Sequence, residues 1–185
     1  CTTAQETVKG ILSRTMAHPF FPIDFEQVSR QIEYDGVCRP SFEIGSMEVG
    51  NITLNHPQKG LGYKFTEGGK VFVFLTDNEL SFKHEGGLEY GDYVRFAEGA
   101  DLLVHDAQYN EKEYAHTRGW GHSLYNDALR LALDAGVGRL GLFHHDVERS
   151  DAALDRVVDD CKNTIAKKGG RLDCFAVEQG MKIEV

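Results

Sequence analysis

Three short apolar runs in this chain end abruptly in a carboxylate or an imidazole. Val71-Phe-Val-Phe-Leu75 leads into Thr76-Asp77, Leu102-Leu-Val104 into His105-Asp106, and Leu142-Phe143 into His144-His145-Asp146. Near-continuous apolar strands are buried on both faces. Ligands of open α/β sheets bind beyond the carboxyl ends of such strands. Three strands ending this way on one edge would build a single polar site. His56 follows the apolar segment Ile52–Leu54 in the same manner, and His122 stands at the start of a helical pattern. Histidine and aspartate without cysteine form the ligand set of hydrolytic zinc, iron or manganese centres. A carboxylate can bridge two such ions, which activate water and clamp a leaving oxygen. The same spacing also fits histidines scattered over a surface, so spacing alone leaves both readings open.

The elements that must position these residues are legible from periodicity. Between Phe42 and His56 the period is two, with Phe42 and Ile44, Met47 and Val49, and Ile52 and Leu54 alternating with polar residues. Gly45-Ser46 and Gly50-Asn51 read as the turns of this β-meander. Leu61–Phe65, Val71–Leu75, Asp101–Val104, Gly141–Phe143 and Cys174–Val177 read as further strands. A helix is predicted from about Ser123 to Ala135, closed by Gly136. Another is predicted from about Asp151 to Lys168, with Ser150 as N-cap and Leu154, Val158, Cys161 and Ile165 as its stripe. Near the start, Thr3-Ala-Gln-Glu6 fits a capping box, and the helix it opens ends at His18-Pro19. Strands alternating with helices predict an α/β chain.

Composition narrows the function. Of 185 residues, 41% are apolar and 26% charged, the balance of a globular chain rather than a disordered one. No apolar run reaches the length of a membrane span, and Cys1–Gln5 does not read as a signal peptide. The net charge of −9 disfavours a general nucleic-acid binder, which needs countercharge for phosphates. Cys1, Cys38, Cys161 and Cys174 form no C-x-x-C pair, which argues against a cysteine zinc site and for a reducing, cytoplasmic setting. Lys59-Gly-Leu-Gly62 lacks the spacing of a phosphate loop. Ser123 lacks the elbow of a serine nucleophile. His18, His84 and His116 read as surface residues and His105 as a structural one, while Trp120 reads equally as pocket wall or packing.

Taken in order, Asn55-His56-Pro57 with Gly62-Tyr63, Leu75-Thr-Asp77, Val104-His-Asp-Ala-Gln-Tyr109, Gly121-His-Ser123, and Leu142-Phe-His-His-Asp146 with Ser150-Asp151 resemble the metallo-β-lactamase-fold hydrolases. Within that superfamily the chain is similar to the ribonuclease Z and phosphodiesterase branch, from about residue 3 to the C-terminus. The resemblance implies an αββα sandwich and two divalent ions, zinc with manganese or iron as alternatives. It implies hydrolysis of a phosphodiester by a metal-bridging hydroxide. By the same resemblance His56 ligates one ion, Asp77 bridges both and His144 ligates the second, with the adjacent His145 as the alternative to His144. His122 contacts the scissile phosphate or protonates the leaving oxygen, and Asp106 orients His122.

Two departures qualify the likeness. The superfamily's H-x-H-x-D-H motif is absent, since no histidine here has another two residues away. The chain therefore resembles the C-terminal two-thirds of one domain, residues 1–185, with the N-terminal strands missing. Alone it is expected to be inactive, and either unstable or paired with another chain, a homodimer being one such pairing. Secondly, only 20 residues separate His56 from Asp77, where ribonuclease Z carries its tRNA-gripping arm. That points to a small anionic phosphodiester rather than tRNA. A non-catalytic module of the same fold and a metal-dependent (thio)ester hydrolase are the competing readings.

Overall fold

A computed structural model describes residues 8–32 and 39–185. Its compact units divide at Pro40–Ser41. The first contains helix α1 (Val8–Thr15), the single-turn helix α2 (Phe25–Val28) and a 3₁₀ turn over Ser29–Gln31. Helix α1 ends at Thr15, earlier than the expected end at His18-Pro19. The expected capping box at Thr3–Glu6, together with Cys1 and Cys38, lies outside the described residues.

The second unit is built on one seven-stranded sheet whose strands lie in chain order. Strands β1 (Ser41–Ile44), β2 (Met47–Thr53), β3 (Leu61–Glu67) and β4 (Lys70–Leu75) pair antiparallel. Strands β5 (Leu102–Asp106), β6 (Arg139–Phe143) and β7 (Asp173–Ala176) continue the sheet from β4 in parallel. Parallel neighbours need crossovers. Helix α3 (Tyr90–Ala97) lies between β4 and β5, α4 (Glu111–Thr117) and α5 (Tyr125–Asp134) between β5 and β6, and α6 (Asp151–Lys167) between β6 and β7. Among the described residues this is the only sheet, so the second sheet of the implied sandwich is not among them.

The register explains the core. Val73, Leu103, Leu140 and Cys174 stand in one row, and Leu75 and Leu142 in the next, all on the same face. They are fully buried with Ala128, Leu131 and Ala132 of α5, Tyr93 of α3, and Cys161 and Ile165 of α6. Each large aliphatic side chain buried there contributes about 1.5–3 kcal/mol. The opposite face carries a half-buried aromatic row, Tyr63, Phe65, Phe72, Phe74 and Phe143, with neighbouring ring centroids 5.5–6.3 Å apart. Cys161 and Cys174 are free, buried thiols.

Three details differ from expectation. Gly50-Asn51 is not a turn but lies within β2, paired to Lys64 and Tyr63. The apolar residues change faces there, Val49 on the aromatic side and Ile52 toward the helices, which breaks the period without breaking the strand. Ser150 has N-cap backbone geometry, yet its hydroxyl makes no capping bond. Helices α3 and α4 stand where periodicity predicts no helix, although α4 opens with a reciprocal capping box between Asn110 and Glu113 that is readable as Asn-x-x-Glu.

Candidate active site

The loops that leave β4, β5 and β6 converge at one edge of the sheet. They bring Asp77, Asp106 and His144 to the same place, and the segment after α4 adds His122. One ligand atom from each of these four lies within 4.8 Å of the others. The His144 Nε2 is 3.4 Å from Asp77 Oδ1. The rings of His122 and His144 stack at 4.5 Å, and His56 meets His122 edge-on at 5.6 Å. Four of the five residues singled out in the sequence thus share one group, and His56, expected as a ligand, lies outside it and borders it through the His122 ring. His145 turns away, onto the backbone of Val177, and burial lowers its pKa.

Asp77 and His144 are also two of the three described non-glycine residues with left-handed backbone, at φ 59° and 55°. Such backbone costs on the order of 1–3 kcal/mol and persists where surrounding structure enforces it. At both strand ends the sharp left-handed turn aims a polar side chain back across the sheet edge.

Asp106 and His122 form a pair. His122 Nδ1–H donates to Asp106 Oδ2 at 2.6 Å. The same carboxylate accepts from the backbone N–H groups of Gln108 and Ser123, each at 3.2 Å, and of Asn78 at 3.4 Å. Asp106 is completely buried and its two oxygens are occupied, so it is suited to orient an imidazole rather than to hold an ion. With Nδ1 committed, His122 presents Nε2 to the cluster. Burial pulls the His122 pKa down, but the hydrogen bond and charge of Asp106 outweigh it and the net shift is upward. Burial, followed by the charge of His122, lowers the pKa of His56. The two rings are therefore tuned in opposite directions.

A buried polar chain fixes the loop after β4. The Asn55 N–H donates to Asn78 Oδ1, Asn78 Nδ2 donates to His105 Nε2, and His105 Nδ1–H donates to the Asp106 carbonyl. Each group is satisfied only when His105 is neutral, and burial lowers its pKa below 6.5. Because the unfolded imidazole takes up its proton more readily, the contribution of His105 is complete above its unfolded pKa of about 6.5 and is lost as pH falls below it. Denaturation midpoints should therefore drop between pH 7.5 and pH 5.5, and the drop should be shallower in His105→Gln. Identical pH profiles for the two proteins would count against this chain.

Ser123 is a brace rather than a nucleophile. Its hydroxyl donates to the Asn78 carbonyl at 2.6 Å and accepts from the Leu80 N–H at 3.0 Å. His84 is not a surface residue: its side chain is 9% exposed and its Nε2–H donates to Glu79, itself completely buried. His18 and His116 are exposed. Trp120 is 62% exposed, so it does not serve packing within the described residues. Asn78 and Glu79 escape a sequence reading because a turn after a strand normally faces solvent.

Gly121 lets the site close. It has φ 102°, and a Cβ there would strike the His56 ring edge and lie 2.7 Å from Pro57 Cδ. Gly121→Ala is expected to cost about 2–5 kcal/mol from strain and overpacking combined. Chemical denaturation would show it, and a loss below about 1 kcal/mol would contradict the close approach.

The chain has the metallo-β-lactamase fold. The metallo-β-lactamase-fold protein YhfI from Bacillus subtilis superposes with a TM-score of 0.59 at 19% identity, covering 85% of this chain and 60% of that one. In sequence the chain is similar to ribonucleases Z. It is 49% identical to ribonuclease Z of Lactococcus lactis over 78 residues, 42% of this chain and 22% of that protein. It is 28% identical to ribonuclease Z of Brevibacillus brevis along 82% of this chain and 58% of that one. The chain thus spans from about a fifth to somewhat over half the length of these relatives. No family model matches it.

Proposed function

We propose that this chain is part of a metal-dependent phosphodiesterase. The observation that carries the reading is the cluster at the sheet edge, where an oriented imidazole, His122 on Asp106, stands against Asp77 and His144. The donor set suits divalent ions: histidine nitrogen and carboxylate oxygen with no thiolate nearby, and a buried His144 Nδ1 with no hydrogen-bond partner among the described residues. His56, Asp77 and His144 would hold two ions, zinc with manganese or iron as alternatives, and Asp77 would bridge them. Such ions supply Lewis acidity and a water ionised at neutral pH.

The remaining steps belong to the chain. His122, its Nδ1–H fixed on Asp106, faces the leaving oxygen through Nε2 and delivers a proton to it. The Asp106 carboxylate stabilises the protonated imidazole that this step requires. The interval between His56 and Asp77 is almost wholly consumed by β3, β4 and their tight turn, which leaves no arm for gripping a large RNA. With the net charge of −9, this favours a small anionic phosphodiester over tRNA. The free, buried Cys161 and Cys174 suit a reducing, cytoplasmic setting.

The test is hydrolysis by the complete protein of bis(nitrophenyl) phosphate against an aryl thioester, with metal content measured in parallel. Preference for the thioester would move the reading to a (thio)ester hydrolase. Absence of both metal and turnover would move it to a non-catalytic module. Residues 1–185 tested alone offer three candidate ligands for two ions, so they are expected to bind metal weakly and to hydrolyse neither substrate. Two well-ordered ions held by side chains of this chain alone would overturn the ligand assignment.

A further inference from the structure

His122 is anchored twice. Its ring is held by Asp106, and the backbone just before it is held by a second buried carboxylate. Glu79 Oε1 accepts from the Tyr114 hydroxyl at 2.6 Å and from the Gly119 N–H at 2.7 Å. Glu79 Oε2 accepts from the Gly121 N–H and from His84 Nε2–H, both at 2.8 Å. The two amides flank Trp120, and both glycines have left-handed backbone, at φ 88° and 102°. This bend lies between the end of α4 at Thr117 and the start of α5 at Tyr125, so no helix or strand stiffens it. Glycine gives it the widest choice of conformations, and the carboxylate removes that choice.

We propose that Glu79 is a positioning residue for the leaving-group step: by clamping the amides on both sides of Trp120, it fixes the direction from which His122 enters the site. The proposal rests on the reading of His122 as the group that serves the leaving oxygen. Only a carboxylate can accept on both oxygens at once. In Glu79→Gln, whichever way the amide is turned, its NH₂ faces one of the two glycine N–H donors, and one half of the clamp is lost. Nothing in this chemistry touches the proposed ligands directly, although the bend also borders the His56 ring, so metal content must be measured.

The experiment is a double-mutant cycle in the complete, metal-loaded protein with Glu79→Gln and His122→Ala. Turnover of a series of aryl phosphodiesters is measured, together with hydrogen exchange over residues 118–122. Glu79→Gln is expected to retain metal and to lower kcat by about a hundredfold, the effect of misplacing a reacting group by roughly 1 Å. The loss should be larger for poorer leaving groups, and exchange in the bend should be faster. In the His122→Ala background, the same substitution should change kcat by less than about twofold, because a residue that acts through another has no separate effect once that residue is gone. Losses that multiply in the double variant, loss of metal, or normal turnover despite faster exchange would each overturn the role of Glu79. If His122→Ala alone lowers turnover uniformly across leaving groups, the reading of His122 falls, and this proposal with it. Should Glu79→Gln fail to fold, Glu79→Asp keeps the charge but is one methylene too short to reach both amides. It is read in the same cycle, with the same outcomes.

Discussion

Asp77→Ala is expected to abolish hydrolysis by the complete protein and to lower its metal content. Asp77 stands at the end of β4 with its Oδ1 3.4 Å from His144 Nε2, within the group of four whose ligand atoms lie within 4.8 Å of one another. In the proposed site it is the one carboxylate of this chain that can serve both ions, since the oxygens of Asp106 are taken by His122 and three backbone amides. Charge stabilisation by such ions supplies several kcal/mol to a transition state. At about 1.36 kcal/mol per tenfold, losing about 4 kcal/mol slows turnover by about a thousandfold. Alanine also fits poorly at φ 59°. Asp77→Asn separates the two effects, because asparagine tolerates left-handed backbone and keeps the shape while removing the charge. Full metal occupancy and normal turnover in the asparagine variant would remove Asp77 from the site.

His122→Ala should look different. Metal content should remain normal while kcat falls by roughly a hundred- to ten-thousandfold, the range for a general acid. The fall should shrink for nitrophenyl leaving groups, which depart without a proton. Asp106→Asn is expected to follow the same pattern with a smaller loss, because it turns the imidazole rather than removing it. Loss of metal in His122→Ala would make this residue a ligand instead, a role its Nε2 is placed to take beside Asp77 and His144.

Much of this arrangement is legible in the order of the residues. Strands β4, β5 and β6 announce themselves as apolar runs: β5 is buried along its whole length, the second faces of β4 and β6 carry the half-buried Phe72, Phe74 and Phe143, and each strand leads into the polar residue at the edge cluster. Helices α5 and α6 show their core stripes, and Gly136 marks the end of α5 with φ 64°. The elements that mislead have a common cause. Gly50-Asn51 resembles a turn, but its pairing with Lys64 and Tyr63 of β3 holds it extended. Glu79 and His84 resemble surface residues, because a charged side chain in a loop is normally solvated. Only the fold brings four donors from three separate segments onto one carboxylate. Period and spacing are local, whereas the satisfaction of a buried charge is not.

If Asp77 and His144 serve the proposed site, their left-handed backbone sets stability against activity at two positions. Glycine takes up left-handed backbone without a Cβ clash, so Asp77→Gly and His144→Gly would relieve that strain, offset in part by the freedom glycine adds to the unfolded chain. The same changes would delete the side chains on which the proposed chemistry depends. Selection for a sturdier fold and selection for catalysis thus pull in opposite directions at these two turns. A screen for heat-resistant variants that ignored turnover should be drawn to them first. Among sequences sharing this strand-end geometry, glycine at either turn would mark a lineage that has given up the reaction and kept the scaffold.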